Sequence, residues 1–253
     1  MQRPLSTGAR SAPRSAPVKS VPSSSRLSSG SSRSPWSPAS PSPGARSRRH
    51  FTCVRAPEMG IAYRLMYAVG FTPWDRVLPD ELKKAIEGPD ALPKGRALDL
   101  GAGMGAKAVY MAEHGWDVTA VEAVPRALRE AERRAKAAGV KVDFRRGDVT
   151  RLGDLGLEPG YTFLFDFGCY HGLKAAERAR YAEGVTDLAE TGATLLMMAF
   201  TRAVPPVPSG VSAAELEERF GPAWVLAWTK RGEEAGTPAM MRAEAAWFCL
   251  KKR

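Results

Sequence analysis

The sequence predicts an α/β domain built on a largely parallel sheet with helices on both faces. Three observations predict it. From about Pro79 onward, segments with helix-like apolar spacing alternate with short strand-like runs, the order that a parallel sheet with crossover helices requires. The first strand runs straight into a glycine-rich turn, Gly101-Ala102-Gly103-Met104-Gly105, and then into a helix. The longest apolar runs, residues 161–167 and 194–200, have strand length and fall far short of the roughly 20 residues a membrane-spanning helix needs. No membrane association is expected.

Each element follows from its local pattern. Residues 81–87 read as a short helix and 96–100 as a buried first strand. The next helix, 106–114, stops at Gly115, a usual residue just past a helix end. Residues 117–121 form the second strand, which ends at Glu122. Pro125 opens a helix at the position where its missing N–H does no harm, and that helix runs to Gly139. Ala127, Leu128, Ala131 and Ala135 give it an inner face, with Glu130 and Arg134 as an i,i+4 pair outside. Residues 142–145 are the third strand, 161–167 the fourth, 175–189 a helix and 193–200 the fifth strand. Ser212 and Glu215 have capping-box spacing and introduce a helix that ends at Phe220, before Gly221-Pro222. Residues 224–230 and 245–251 read as two closing strands.

The 253-residue chain carries a net charge of +10, but the charge is not spread over this patterned region. About ten of the 37 Lys and Arg, and only one of the 27 acids, lie in residues 1–58, so the remainder is nearly neutral. A surface that tracks phosphates needs positive charge clustered on the domain, so no nucleic-acid partner is expected. Residues 1–50 are mostly Ser, Pro, Arg, Ala and Gly and cannot bury enough apolar surface to offset their ordering entropy. We read 1–58 as a disordered leader, either a start placed upstream of a true beginning at Met59 or a targeting tail, and 59–253 as the folded domain. No apolar run follows the basic residues, which excludes a secretory signal. Cys53, Cys169 and Cys249 are far apart and form no Cys-x-x-Cys pair, as expected of a cytoplasmic protein without a metal site.

Leu98-Asp99-Leu100-Gly101-Ala102-Gly103-Met104-Gly105 is the strongest chemical signal. Glycines let backbone N–H groups and a helix N-terminus approach a ligand with no Cβ in the way. Gly101, Gly103 and Ala106 also fit the dinucleotide pattern G-x-G-x-x-A, which keeps an NAD-dependent oxidoreductase open. Glu122 can accept hydrogen bonds from both hydroxyls of a ribose in either case. On the sequence alone, replacing it should weaken ligand binding and leave stability nearly unchanged.

The full string Asp-x-Gly-x-Gly-x-Gly resembles motif I of the class I S-adenosylmethionine-dependent methyltransferases. That resemblance extends over residues 60–253. It implies a Rossmann-like, seven-stranded, mostly parallel sheet whose last strand inserts antiparallel, with S-adenosyl-L-methionine as cofactor. Asp99 then stands near the sulfonium and ammonium, where a pyrophosphate would be repelled, and Gly101, Gly103 and Gly105 line the ligand. Asp148, in Arg146-Gly147-Asp148, matches the position that receives the adenine amino group, with an ordinary turn aspartate as the alternative. The segment Gly70-Phe71-Thr72-Pro73-Trp74-Asp75 resembles one that helps cover the cofactor in thiopurine methyltransferase-like and tellurite-resistance-type enzymes. Trp74 would belong to that cover or simply pack in the core.

After the fourth strand comes Asp166-Phe167-Gly168-Cys169-Tyr170-His171-Gly172-Leu173, at the edge of the sheet where ligands of open α/β folds bind. Asp166 is a candidate ligand for the methionine end or a cap of the turn. His171 is the candidate catalytic residue, as general base or substrate ligand, with pocket lining the preferred reading. Cys169 reads as a small packed residue. About 195 residues leave no room for a target-recognition domain, so the expected partner is a small molecule accepting a methyl group on S, N, O or a metalloid atom. A non-catalytic S-adenosylmethionine-binding protein is the remaining alternative.

Overall fold

The computed structural model describes residues 75, 77–203, 207, 209–232 and 244–253. The expected leader 1–58, the start at Met59 and Trp74 lie outside the described residues. Helix α1 (Asp80–Ile86) precedes β1 (Arg96–Leu100), α2 (Ala106–Glu113), β2 (Asp117–Glu122), α3 (Pro125–Ala138) and β3 (Asp143–Arg146). A short 3-10 segment, Val149–Leu155, leads to β4 (Tyr161–Phe167), a 3-10 turn at Tyr170–Gly172, α4 (Ala175–Leu188) and β5 (Ala189–Phe200). Then come α5 (Ala213–Phe220), β6 (Trp224–Arg231) and β7 (Ala245–Lys252).

The strands form one seven-stranded sheet in the order β3-β2-β1-β4-β5-β7-β6. Strands β1 to β5 pair in parallel, and β7 inserts antiparallel between β5 and β6. This is the sheet the resemblance implied, antiparallel last strand included. The chain leaves β1 in one direction toward β2 and β3, and returns on the other side of β1 as β4 and β5. The carboxyl ends of β1 and β4 therefore flank the switch point where ligands of such sheets sit.

Side-chain alternation along the strands builds the two core layers. Leu98 and Leu100, Leu164, and Leu195, Met197 and Ala199 face α4 and α5 and pack with Tyr181, Val185, Leu216 and Phe220. Ala97, Phe163 and Phe165, and Leu196 and Met198 face the other way and pack with Leu82 of α1 and Met111 of α2. No helix among the described residues is long and apolar enough to cross a membrane.

Four local details differ from the sequence reading. Strand β5 starts at Ala189 rather than 193, because Ala189 pairs with Tyr161 before the register shifts to Thr194 opposite Phe163, and the exposed polar residues between them hide the strand signal. Glu130 pairs with Arg133, not Arg134, whose guanidinium instead reaches Asp75 at 2.9 Å. Ser212 accepts from the Glu215 N–H as a cap should, but the Glu215 carboxylate turns inward to Arg178 instead of closing the box. The two 3-10 segments carry no long-range period and were not expected at all.

Candidate functional site

The register of the parallel strands brings the chemistry to one edge. Leu100 lies opposite Val121 on one side and Asp166 on the other, so the glycine turn after β1, Glu122 at the end of β2 and Asp166 near the end of β4 are neighbours. The turn is hung from β2: the N–H groups of Gly101 and Ala102 both donate to the Val121 carbonyl at 3.0 Å. A Cβ on Gly101 would stand 2.8 Å from both Cβ and Sγ of Cys169, so the β1 and β4 turns meet over a glycine that leaves no space for any other residue.

Glu122 is buried and holds the turn as well. Its carboxylate accepts from the Gly103 N–H at 2.8 Å and from the Val124 N–H at 2.7 Å. Burial raises its pKa, opposed by these N–H donors. Each carboxylate oxygen has a second lone pair, so Glu122 can still accept two hydroxyl donors. Two backbone donors depend on it, so its removal is expected to lower stability rather than spare it.

Asp99 is the unsatisfied member of the group. It is 3% exposed, and its Oδ2 atom is buried with no hydrogen-bond partner. Burial pushes its pKa up to about 7, against the pull of Lys107 and with smaller pushes from the Asp166 and Glu122 carboxylates. Lys107, which the sequence reading passed over, is itself buried, lies 4.8 Å over the Phe167 ring, and has its pKa lowered to about 8 by burial, opposed by Asp75 and Asp99. Its only advance signal was its position in the first turn of the helix that follows the glycine loop.

Asp166 is fully buried, and its oxygens are occupied: Cys169 N–H donates at 2.8 Å, Tyr170 N–H at 3.0 Å and the Tyr181 hydroxyl at 2.7 Å. Burial moves its pKa up to about 6 in spite of these donors. It caps the turn, one of the two readings the sequence left open. Asp148 accepts from the N–H and hydroxyl of Thr150 at 2.9 and 2.8 Å, the geometry of a turn aspartate at the start of a 3-10 segment. Cys169 packs against the glycine turn, and burial raises its pKa well above the usual thiol value, the environment of a packed rather than an activated thiol.

His171 is 4% exposed, and its ring lies flat on Phe200 with centroids 4.6 Å apart. Nδ1 accepts from the Phe200 N–H at 3.2 Å. Burial, helped by Arg178, lowers its pKa to about 3. A general base needs a free lone pair, and the one this imidazole has is engaged by the backbone. The base role therefore finds no support in the geometry. Trp74 lies outside the described residues; its neighbour Asp75 is buried and joined to Arg134 of α3.

Residues 97–192 match the family of methyltransferase domains. Over 160 residues the chain is 28% identical to 2-heptyl-1-hydroxyquinolin-4(1H)-one methyltransferase of Mycobacteroides abscessus, covering 61% of this chain and 69% of that one. Among solved structures, 1,6-didemethyltoxoflavin-N1-methyltransferase of Burkholderia thailandensis superposes with a TM-score of 0.60 at 20% identity, over 76% of this chain and 85% of that one. A TehB-like SAM-dependent methyltransferase of Corynebacterium glutamicum gives 0.52 at 16% identity, over 76% and 95%. The fold is that of the class I, Rossmann-like methyltransferases.

Proposed function

We propose that this chain is an S-adenosylmethionine-dependent methyltransferase acting on a small molecule, and that the edge formed by β1, β2 and β4 holds the cofactor. The observation that carries the reading is Asp99: a buried carboxylate oxygen without a partner, among further carboxylates, beside a glycine turn. A desolvated carboxyl group of that kind takes up a proton unless a cation is held against it, and a cationic ligand would favour its ionised form. Asp99 would take the cationic end of the methionine portion, Glu122 the ribose hydroxyls, and Gly101, Gly103 and Gly105 would keep the backbone within reach. Asp148 would turn its second oxygen to the adenine amino group. When bound, the cofactor supplies a methyl group on a positive sulfur, so the protein's task is to hold a nucleophile in line and exclude water. A dinucleotide would place its pyrophosphate at the glycine turn beside the Asp99 carboxylate, which disfavours the oxidoreductase reading.

The acceptor is proposed to be a compact molecule carrying a nucleophilic N, O, S or metalloid atom. The similarity to a hydroxyquinolone methyltransferase and the fold shared with a toxoflavin N-methyltransferase support starting from heteroaromatic compounds. A labelled-methyl screen against hydroxyquinolones, thiols, amines, phenols and metalloid oxyanions tests this, beside calorimetry with S-adenosylhomocysteine and NAD. Binding of NAD in preference to S-adenosylhomocysteine would sink the reading. Cofactor binding without transfer to any acceptor would favour a non-catalytic binding protein.

Two variants probe the cofactor site. Glu122→Ala should weaken cofactor binding by about ten- to a hundredfold, the worth of charge-assisted hydrogen bonds at roughly 1.5 to 3 kcal/mol. It should also lower the melting temperature, since the Gly103 and Val124 N–H groups lose their acceptor. Asp99 predicts a pH dependence. With its pKa near 7, a cation bound beside it requires the ionised form, so binding below pH 7 releases a proton and affinity falls by up to about tenfold per unit as pH drops further. Calorimetry of S-adenosylmethionine at two pH values, in buffers of different ionisation enthalpy, reads the proton directly. Asp99→Asn should abolish the release. An unchanged release in that variant would mean that another group carries the linkage.

A further inference from the structure

We propose that His171 presents a fixed, neutral Nε2–H to the methyl acceptor as a hydrogen-bond donor, and that Arg178 is the residue that positions it. The inference rests on the methyl-transfer reading above. Because Nδ1 accepts from the Phe200 N–H, the single proton of the neutral ring must sit on Nε2. Stacking on Phe200 fixes the plane of the ring. Nε2 makes no hydrogen bond to any described residue; it lies 3.5 Å from where a Cβ of Gly168 would stand, with the Met198 methyl 3.6 Å from the same point. Gly168 directly follows β4, so this donor stands at the carboxyl edge of the sheet, where ligands of such folds bind.

Arg178 explains why the turn keeps this shape. It lies on α4 and is 2% exposed. Nε donates to the Leu173 carbonyl at 3.1 Å, and Nη2 to the His171 carbonyl at 3.1 Å and the Ser209 carbonyl at 3.0 Å. Nη1 donates to the Gly210 carbonyl at 3.1 Å and to the Glu215 carboxylate at 2.9 Å. The five N–H donors of a guanidinium are thus all used, and they tie the turn after β4 to the segment after β5 and to α5. A lysine's compact ammonium cannot span those carbonyls. Burial, with the nearby Arg178 cation adding to it, disfavours the protonated imidazole, so the donor stays neutral across the physiological range.

A fixed donor without a free lone pair selects its substrate. It suits an acceptor whose nucleophile is already anionic, or is flanked by a carbonyl or ring nitrogen that accepts the Nε2–H, such as a thiolate, a phenolate or an N-hydroxy heterocycle. It gives no help to an alcohol that must lose its proton in the transition state.

The test uses the full chain in three arms. Long-range nitrogen–proton NMR on protein labelled at histidine, assigned with His171→Gln, should show the Nε2–H tautomer of His171 unchanged from about pH 5 to 8. Titration near the ordinary histidine value, or a proton on Nδ1, overturns the proposal whatever the activity. In the second arm, Arg178→Lys should alter the His171 signals while S-adenosylhomocysteine affinity stays within about twofold, since the cofactor carboxylates are on other elements. Equal His171 spectra in wild type and Arg178→Lys overturn the positioning role. In the third arm, with the acceptor found in the labelled-methyl screen, His171→Phe keeps a ring and loses the donor. It should lower kcat/KM by about five- to tenfold, the worth of one neutral hydrogen bond, and His171→Gln should recover most of that loss. Equal kcat/KM in His171→Phe and wild type counts against the donor role. Absence of S-adenosylhomocysteine binding in the wild type would instead remove the transfer reading, leaving the NMR result to stand for the ring alone.

Discussion

Asp166→Ala is expected to lower the melting temperature by roughly 6 to 12 °C, the shift that about 3 kcal/mol produces in a domain of this size. Asp166 lies at no surface, and its carboxylate gathers Cys169 N–H, Tyr170 N–H and the Tyr181 hydroxyl. Alanine leaves those donors unpaired in a space too enclosed for easy hydration, and each buried orphan costs about 1 to 3 kcal/mol before relaxation. The pH sense follows from a pKa near 6 in the folded protein, above the unfolded carboxylate value. A raised carboxyl pKa gives stability that is fully present below the unfolded value, near pH 4, and is lost as pH rises through about 6. The alanine variant lacks that contribution, so its deficit should be larger at pH 5 than at pH 7.5. Thermal melts at both values check it. A deficit that grows with rising pH would mean that the N–H donors, not burial, set the pKa of Asp166.

This carboxylate also marks the boundary of what the sequence could tell. The sheet was legible because alternation and strand length depend on local pattern, and the glycine turn because closely spaced glycines after a buried strand have few other uses. Asp99 and Glu122 were legible through their spacing from that turn. What stayed hidden depends on contacts between distant residues. Nothing local distinguishes a ligand-facing Asp166 from one buried under Tyr181, fifteen residues further on. Nor does anything in Ala175–Leu188 single out Arg178 from its arginine neighbour Arg180, although one is buried against five acceptor groups and the other is exposed. His171 illustrates the same limit in chemistry. A histidine in a loop leaves a base role open because its intrinsic pKa suits the task, and its burial on Phe200 with an N–H aimed at Nδ1 shows only in the fold.

The same dependence on distant contacts makes Gly105→Val the second large effect. Gly105 precedes α2 with φ at 77°, and a Cβ there would meet the Ala131 Cβ of α3 at 2.6 Å and its Cα at 3.1 Å. Left-handed backbone costs a residue with a side chain roughly 1 to 2 kcal/mol. Separating two packed helices to admit the side chain adds about 1 to 3 kcal/mol. Together these predict a loss of about 2 to 5 kcal/mol, or roughly 5 to 20 °C in melting temperature. Gly139 provides the comparison, because its φ is 70° but nothing lies within 4 Å of its would-be Cβ. Gly139→Ala bears the backbone strain alone and should cost no more than about 2 kcal/mol. The difference between the two variants measures how firmly α2 is held against α3, and with it how firmly the glycine turn is held for its ligand. Cofactor affinity should fall with Gly105→Val and remain at the wild-type level with Gly139→Ala. If both variants lost only the backbone strain, α2 would be free to move away from α3, and the glycine turn would not be held rigid by that packing.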